Sequence, residues 1–171
     1  MKQLLLLLVP ILLSGQDTFQ PLTGETSAGE IVTIPATGHT GLTVVGMAFG
    51  KQAGPLLEDW YAPAYLRFVA KHGLFAGTYD AQVFFVPMFV GANKAAYDPS
   101  IRKFRKSANP EIVDHVVFFK GDADPYLQEL GMKDKGIPYF FIIDGEGRVL
   151  HRTEGAFSDA KLDAMEAVLM E

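Results

Sequence analysis

Gly136-Ile137-Pro138-Tyr139-Phe140-Phe141-Ile142-Ile143-Asp144-Gly145-Glu146-Gly147-Arg148-Val149-Leu150 is the stretch that decides the architecture. A proline leads into an unbroken apolar run, the mark of a strand covered on both faces. Asp144 to Gly147 supplies a turn, because Asp and Gly accept the dihedrals a hairpin demands. Arg148, Val149 and Leu150 begin a returning strand. Downstream, Ser158 reads as a helix cap, and Asp159 to Met170 as a short amphipathic helix.

Working outward from this hairpin, the chain alternates strands with helices. Ile31-Val32-Thr33-Ile34-Pro35 reads as a strand at a sheet edge, since Pro35 cannot donate to a ladder. Gln16 to Ala28 is polar and reads as a lead-in or loop, and Gly38 to Gly41 as a turn. Leu42 to Phe49 is a continuous apolar strand, broken at Gly50 to Gly54, and Pro55 takes the first position of a helix. Leu56, Leu57, Trp60, Tyr61, Ala64, Tyr65, Phe68 and Val69 form its stripe. Pro63 should kink that helix, and His72-Gly73 should end it. Ala81 to Phe89 and His115 to Phe119 are further buried strands, with a basic helix from Pro99 to about Ser107 between them. Asp124-Pro125 opens a short helix ending at Gly131. This order predicts an α/β fold with a parallel core and a late antiparallel strand.

The chain has 171 residues, 49% of them apolar, enough for one self-supporting core. A formal charge of −5 argues against nucleic acid, which requires clustered Lys and Arg. The one basic cluster, Arg102-Lys103-Phe104-Arg105-Lys106, reads as a solvated helix face. Residues 1–15 read as an export signal peptide: Lys2 is the positive end, Leu4 to Leu13 the apolar run, Ser14-Gly15 the small pair before cleavage. That run is too short to span a bilayer. Residues 16–171 then form a single domain, periplasmic or secreted, with no stable membrane span after cleavage. With zero cysteines, disulfides, thiol exchange, thiol peroxidase chemistry and Cys-based metal sites are all excluded.

The hairpin led by Pro138 resembles the C-terminal half of the thioredoxin fold, where the corresponding proline is cis and walls the active-site groove. Leu22-Thr23-Gly24-Glu25 with Gly29 to Pro35 is similar to the N-terminal hairpin of the periplasmic and peroxiredoxin-related branch. Val44 to Leu56 is similar to the strand and turn that deliver a Cys-Gly-Pro-Cys motif. In that register Ala53 and Leu56 take the cysteine positions, and Gly54 and Pro55 the middle pair. A second register aligns Pro63 with the kinking proline of thioredoxin helices and moves the lost pair toward Pro55 to Glu58. The resemblance implies a thioredoxin-like three-layer fold: a mixed sheet flanked by helices, with an N-terminal strand or hairpin extension. It also implies a cis Ile137–Pro138 bond facing the Gly50 to Pro55 turn.

The candidate binding groove is therefore Gly50, Lys51, Gln52, Ala53, Gly54, Pro55, Leu56, Ile137 and Pro138, and its expected occupant is an extended polypeptide or an envelope partner protein. No catalytic residue can be assigned. The rival readings are acid–base chemistry from Lys51, Glu58 or Asp59 beside the helix start, or a purely structural assembly role. Trp60 lies on the core stripe. His39, His72, His115 and His151 are scattered, with no metal-ligand spacing. Asp122, Asp124 and Asp144 to Gly147 lack the oxygen-ligand pattern of a calcium loop. No cofactor is implied, and oligomeric state is left open.

Overall fold

The structure is a computed structural model that describes residues 17–70 and 79–171. The expected signal peptide (1–15) and the helix end at His72-Gly73 lie outside the described residues. At the centre is β3 (Leu42–Phe49), buried along nearly its whole length. Parallel to it runs β4 (Ala81–Val90), with Val45 opposite Phe84, and parallel to that runs β5 (Val117–Gly121). On its other side the quoted hairpin forms β6 (Tyr139–Ile143) and β7 (Val149–Glu154), both antiparallel, with Val45 opposite Phe141. The turn is held by Asp144, whose carboxylate accepts from the N–H groups of Glu146 and Arg148 and from Arg148 Nε at 2.6 Å.

The polar segment read as a lead-in holds a further strand, β1 (Leu22–Thr26), which pairs with β2 (Ile31–Ile34) and, through Glu25 and Thr26, with β5. Its apolar signal is weak because Gly24 stands at a buried position. A Cβ there would meet Val117 Cγ1 at 2.6 Å and the Phe118 carbonyl at 2.7 Å, so only glycine admits the close approach of β1 to β5. The seven-stranded sheet has the order β2-β1-β5-β4-β3-β6-β7, with β2 at an edge as Pro35 requires. Ahead of β1, the lead-in clasps the far edge: Thr18 bridges Arg148, Phe19 N–H donates to the Gly147 carbonyl, and Val149 N–H to that of Asp17.

The first helix, α1 (Gly50–Ala64), starts five residues earlier than Pro55 suggests. Gly50 adopts a φ of +70°, which turns the chain straight from β3 into the helix. Pro55 therefore lies inside α1, where it forfeits one intrahelical hydrogen bond. Beyond Pro63 the helix loosens into a π-turn over Tyr65–Val69, the response expected of a helix that has lost a ladder bond. A 3₁₀ turn (Gly91–Ala96) leads into α2 (Tyr97–Ser107), followed by α3 (Pro110–Val113), α4 (Asp124–Glu129) and α5 (Asp159–Leu169), the last capped by Ser158.

The two sheet faces form separate cores. Val44, Phe85, Phe118, Phe140 and Ile142 pack under Ala53, Leu57, Trp60 and Ala64 of α1, with α2 and α5 beside them. Val45, Met47, Val86 and Phe141 pack under Tyr126 of α4 and under Phe19, Leu22 and Ile34 from the N-terminal segment.

Candidate functional site

Where β3 ends, α1 begins with no side-chain cap and no acidic residue in its first turn. Its free N–H groups thus stay open to a ligand. Gly50, Lys51 and Gln52 are exposed there. Across from them the chain approaches β6 through Asp134-Lys135-Gly136. Gly136 N–H donates to Asp134 Oδ1 at 2.7 Å, and Asp134 N–H donates to the Tyr139 hydroxyl at 2.8 Å, which fixes this turn to the strand. Gln52 Oε1 lies 3.2 Å from where a Cβ would stand on Gly136, so the two segments nearly touch. Between them and the loops after β4 and β5 lies a cleft of about 830 Å³. It sits at the carboxyl ends of the parallel strands, the customary ligand position of open α/β sheets.

The nine sequence-predicted groove residues do not all meet in this cleft. Gly50, Lys51 and Gln52 line it. Gly54 and Pro55 open instead on a second cleft of about 700 Å³ between α1 and α2, which also reaches Gly50 and Lys51. Ala53 is fully buried on the core face of α1, and Leu56 is half-buried. Ile137 is half-buried against the second core, beyond the last β3–β6 pair, Met47 with Tyr139.

Pro138 is buried, and the bond that precedes it is trans; the cis bond among the described residues is Ile34–Pro35. The expectation of a cis Pro138 rested on resemblance alone. Nothing local demands it: trans is the lower-energy X–Pro form. Pro138 is held instead by the sheet, its carbonyl accepting from Gly155 N–H at 2.8 Å.

The other candidates divide clearly. Trp60 is a core residue, its ring centroid 4.2 Å from that of Phe140 at a tilt of 31°, and it donates Nε1–H to the Gly155 carbonyl. Glu58 is exposed beside the α1–α2 cleft, and Asp59 is exposed on the outer side of α1. Tyr61 lies between α1 and β4, its ring 4.5 Å from that of Phe85. Burial, aided by Glu58, pushes its phenol well above the ordinary range. His115 Nδ1 is bonded to the Val83 carbonyl, whereas the buried Nε2 of His151 has no partner among the described residues, and burial lowers its pKa. Among the described residues no His, Asp and Glu side chains gather as three or more metal ligands. Sequence reasoning missed Asn93, Lys94, Asp134 and Lys135, which line the large cleft. Their signal was positional, as polar residues just after a strand or just before one.

No protein-family profile and no curated protein sequence matches the chain. Solved structures do. BsSco, of the Sco family of cytochrome c oxidase assembly proteins, superposes with a TM-score of 0.59 at 14% identity, covering 90% of this chain and 92% of its own. The exposed lipoprotein thioredoxin Etrx1 of Streptococcus pneumoniae gives 0.57 at 12% identity, with 86% and 99% covered. The thioredoxin domain of the thiol-disulfide oxidoreductase BVU-2223 of Bacteroides vulgatus gives 0.56 at 13%, with 91% and 98% covered. Such similarity establishes architecture: this is a thioredoxin-like fold, built from a chain without a cysteine.

Proposed function

We propose that this is an exported, redox-inert thioredoxin-fold protein that binds an extended segment of a partner polypeptide across the cleft at the start of α1. The observation that carries the reading is the near-contact of Gln52 with Gly136, which sets the uncapped start of α1 beside the turn leading into β6. The helix N–H groups would hold carbonyls of the bound segment. The backbone around Ile137, lying past the end of the β3–β6 ladder, would pair with it by strand addition. With no cysteine, no thiolate is present to attack or resolve a disulfide, which favours binding over redox chemistry as the use of this cleft. Ordering an extended chain opposes association, so affinity should be modest.

A single probe thiol tests this. Gln52→Cys introduces one cysteine at the exposed first turn of α1, and Asp59→Cys introduces a control on the exposed outer side of the same helix. The first thiol should titrate below the free value of about 8.5, through the helix dipole. It should also form mixed disulfides with an unfolded polypeptide whose single cysteine is activated as a thionitrobenzoate disulfide, thionitrobenzoate leaving as the new bond forms, at least about tenfold faster than the control once thiolate fraction is accounted for. Equal capture at the two positions would rule out polypeptide binding here.

A further inference from the structure

The α1–α2 cleft meets the proposed peptide cleft at Gly50 and Lys51, but its chemistry differs. Its floor is apolar: Leu57 and Tyr61 from α1, Phe104 from α2, and Phe89 and Phe118 from the sheet. At about 700 Å³ it falls within the range of small-molecule sites, roughly 300–1,000 Å³. Ala62, Ala96 and Ala108 keep the walls apart, since none has a side chain long enough to cross.

Two cations line this cleft, Lys51 from α1 and Lys103 from α2, and neither forms an ion pair among the described residues. Glu58 is the one carboxylate in the lining, so the local balance is positive in a chain of net charge −5. Lys103 belongs to the single basic run of the sequence, Arg102 to Lys106, so the helix carrying that run is also a wall of the cleft. The Tyr61 hydroxyl has no hydrogen-bond partner among the described residues, and the burial that raises its pKa keeps it a neutral donor.

We propose that this cleft binds a free, single-chain fatty acid, the alkyl chain lying among Leu57, Phe89, Phe104 and Phe118 and the carboxylate meeting Lys51, Lys103 and the Tyr61 hydroxyl. An apolar peptide side chain would fill only part of the volume and leave both lysines without a counter-charge. An anionic membrane surface fits less well, because the apolar atoms line a concavity, whereas an interfacial helix presents its apolar face outward.

Calorimetric titration with decanoate, dodecanoate and tetradecanoate, each below its micelle concentration, tests the site. Saturable one-to-one binding should tighten by up to about fourfold per added methylene. Dodecyltrimethylammonium should bind at least about tenfold more weakly than dodecanoate. The double variant Lys51→Glu/Lys103→Glu should lose the same factor. Ala62 is exposed on α1, so Ala62→Phe should fill the cleft and abolish binding with the melting temperature unchanged; Ala96→Phe replaces it if that variant unfolds. The Gln52→Cys variant should bind fatty acid like the parent. Binding that survives both filling variants, or that favours the cationic amphiphile, overturns the proposal. So does association only with phosphatidylglycerol vesicles, which would make the face a membrane contact, and so does binding only to hydrophobic peptides.

Discussion

At the scale of single residues, the buried carboxylate of Glu166 matters most for stability. Arg67 Nη1 donates to it at 2.6 Å, and the Tyr79 hydroxyl stands 3.2 Å from its other oxygen and 2.9 Å from the Arg67 carbonyl. This ties α5 to the π-turn, and Asp163 of α5 adds a second contact to Arg67 Nη1 at 3.2 Å. Glu166→Ala removes one partner from a half-buried guanidinium and one from a phenol, leaving Asp163 to the first and the Arg67 carbonyl to the second, and bonds to charged groups are worth about 1.5–3 kcal/mol. We expect a loss of about 2–3 kcal/mol in urea unfolding, and roughly half that for Glu166→Gln. None of this was legible in the sequence, because Arg67, Tyr79 and Glu166 are too far apart along the chain for any local pattern to join them. The groove residues were partly legible for the same reason in reverse. Gly50 to Gln52 follow a strong strand and had to lie at its end. Which of the next four faced inward depended on where the helix began, and a one-residue change there moves a side chain by about 100°.

The elements were read with more success because periodicity and burial agree in them. The quoted hairpin is visible as an apolar run, a turn and a return, and it appears as β6 and β7. The start of α1 was misplaced because two signals compete: a proline that favours the first helical turn, and a glycine that can turn the chain at once. Gly50 wins, as its left-handed φ lets the helix begin before Pro55 is reached. A second glycine, Gly46 in β3, sets the packing of the helical face. A Cβ there would run into Phe140 Cε1, and the Phe140 ring in turn packs against Trp60. Gly46→Ala must displace the Phe140 ring and with it the Trp60 contact, so we expect a cost of about 2–3 kcal/mol. A shifted tryptophan emission in the folded variant checks the mechanism, and Phe140→Leu in the same background should recover part of the loss.

For the molecule as a whole, two consequences follow from composition and burial. With no cysteine, stability and any binding should be the same in oxidising and reducing buffer, and insulin reduction should stay at the uncatalysed rate. Alkaline pH is a different matter. Burial first, then Glu166 for Tyr79 and Glu25 for Tyr97, pushes each phenol up to about 12 from an ordinary 10.0. Their contribution is complete below pH 10, where both states hold the proton, and is lost as pH rises toward 12, because only the unfolded chain then ionises. The urea midpoint should therefore fall steadily from pH 10 to 12, with tyrosinate absorbance rising in step with unfolding. His151 acts at the other end. Burial depresses its pKa below 6.5, so stability present above that pH declines as acid charges the unfolded state first, and His151→Leu should flatten that arm.

The clasp made by residues 17–19 has a kinetic meaning. Asp17, Thr18 and Phe19 close on Gly147, Arg148 and Val149, so the two ends of the domain are stitched together at one sheet edge, and Phe19 is buried beneath. A chain emerging in order cannot make that seam until its last hairpin has appeared, and the entropy cost of closing so long a loop makes it a late contact. During synthesis the domain would remain unlatched until that hairpin has emerged. Phe19→Ala should therefore speed unfolding far more than it slows refolding, the signature of a contact made after the rate-limiting step.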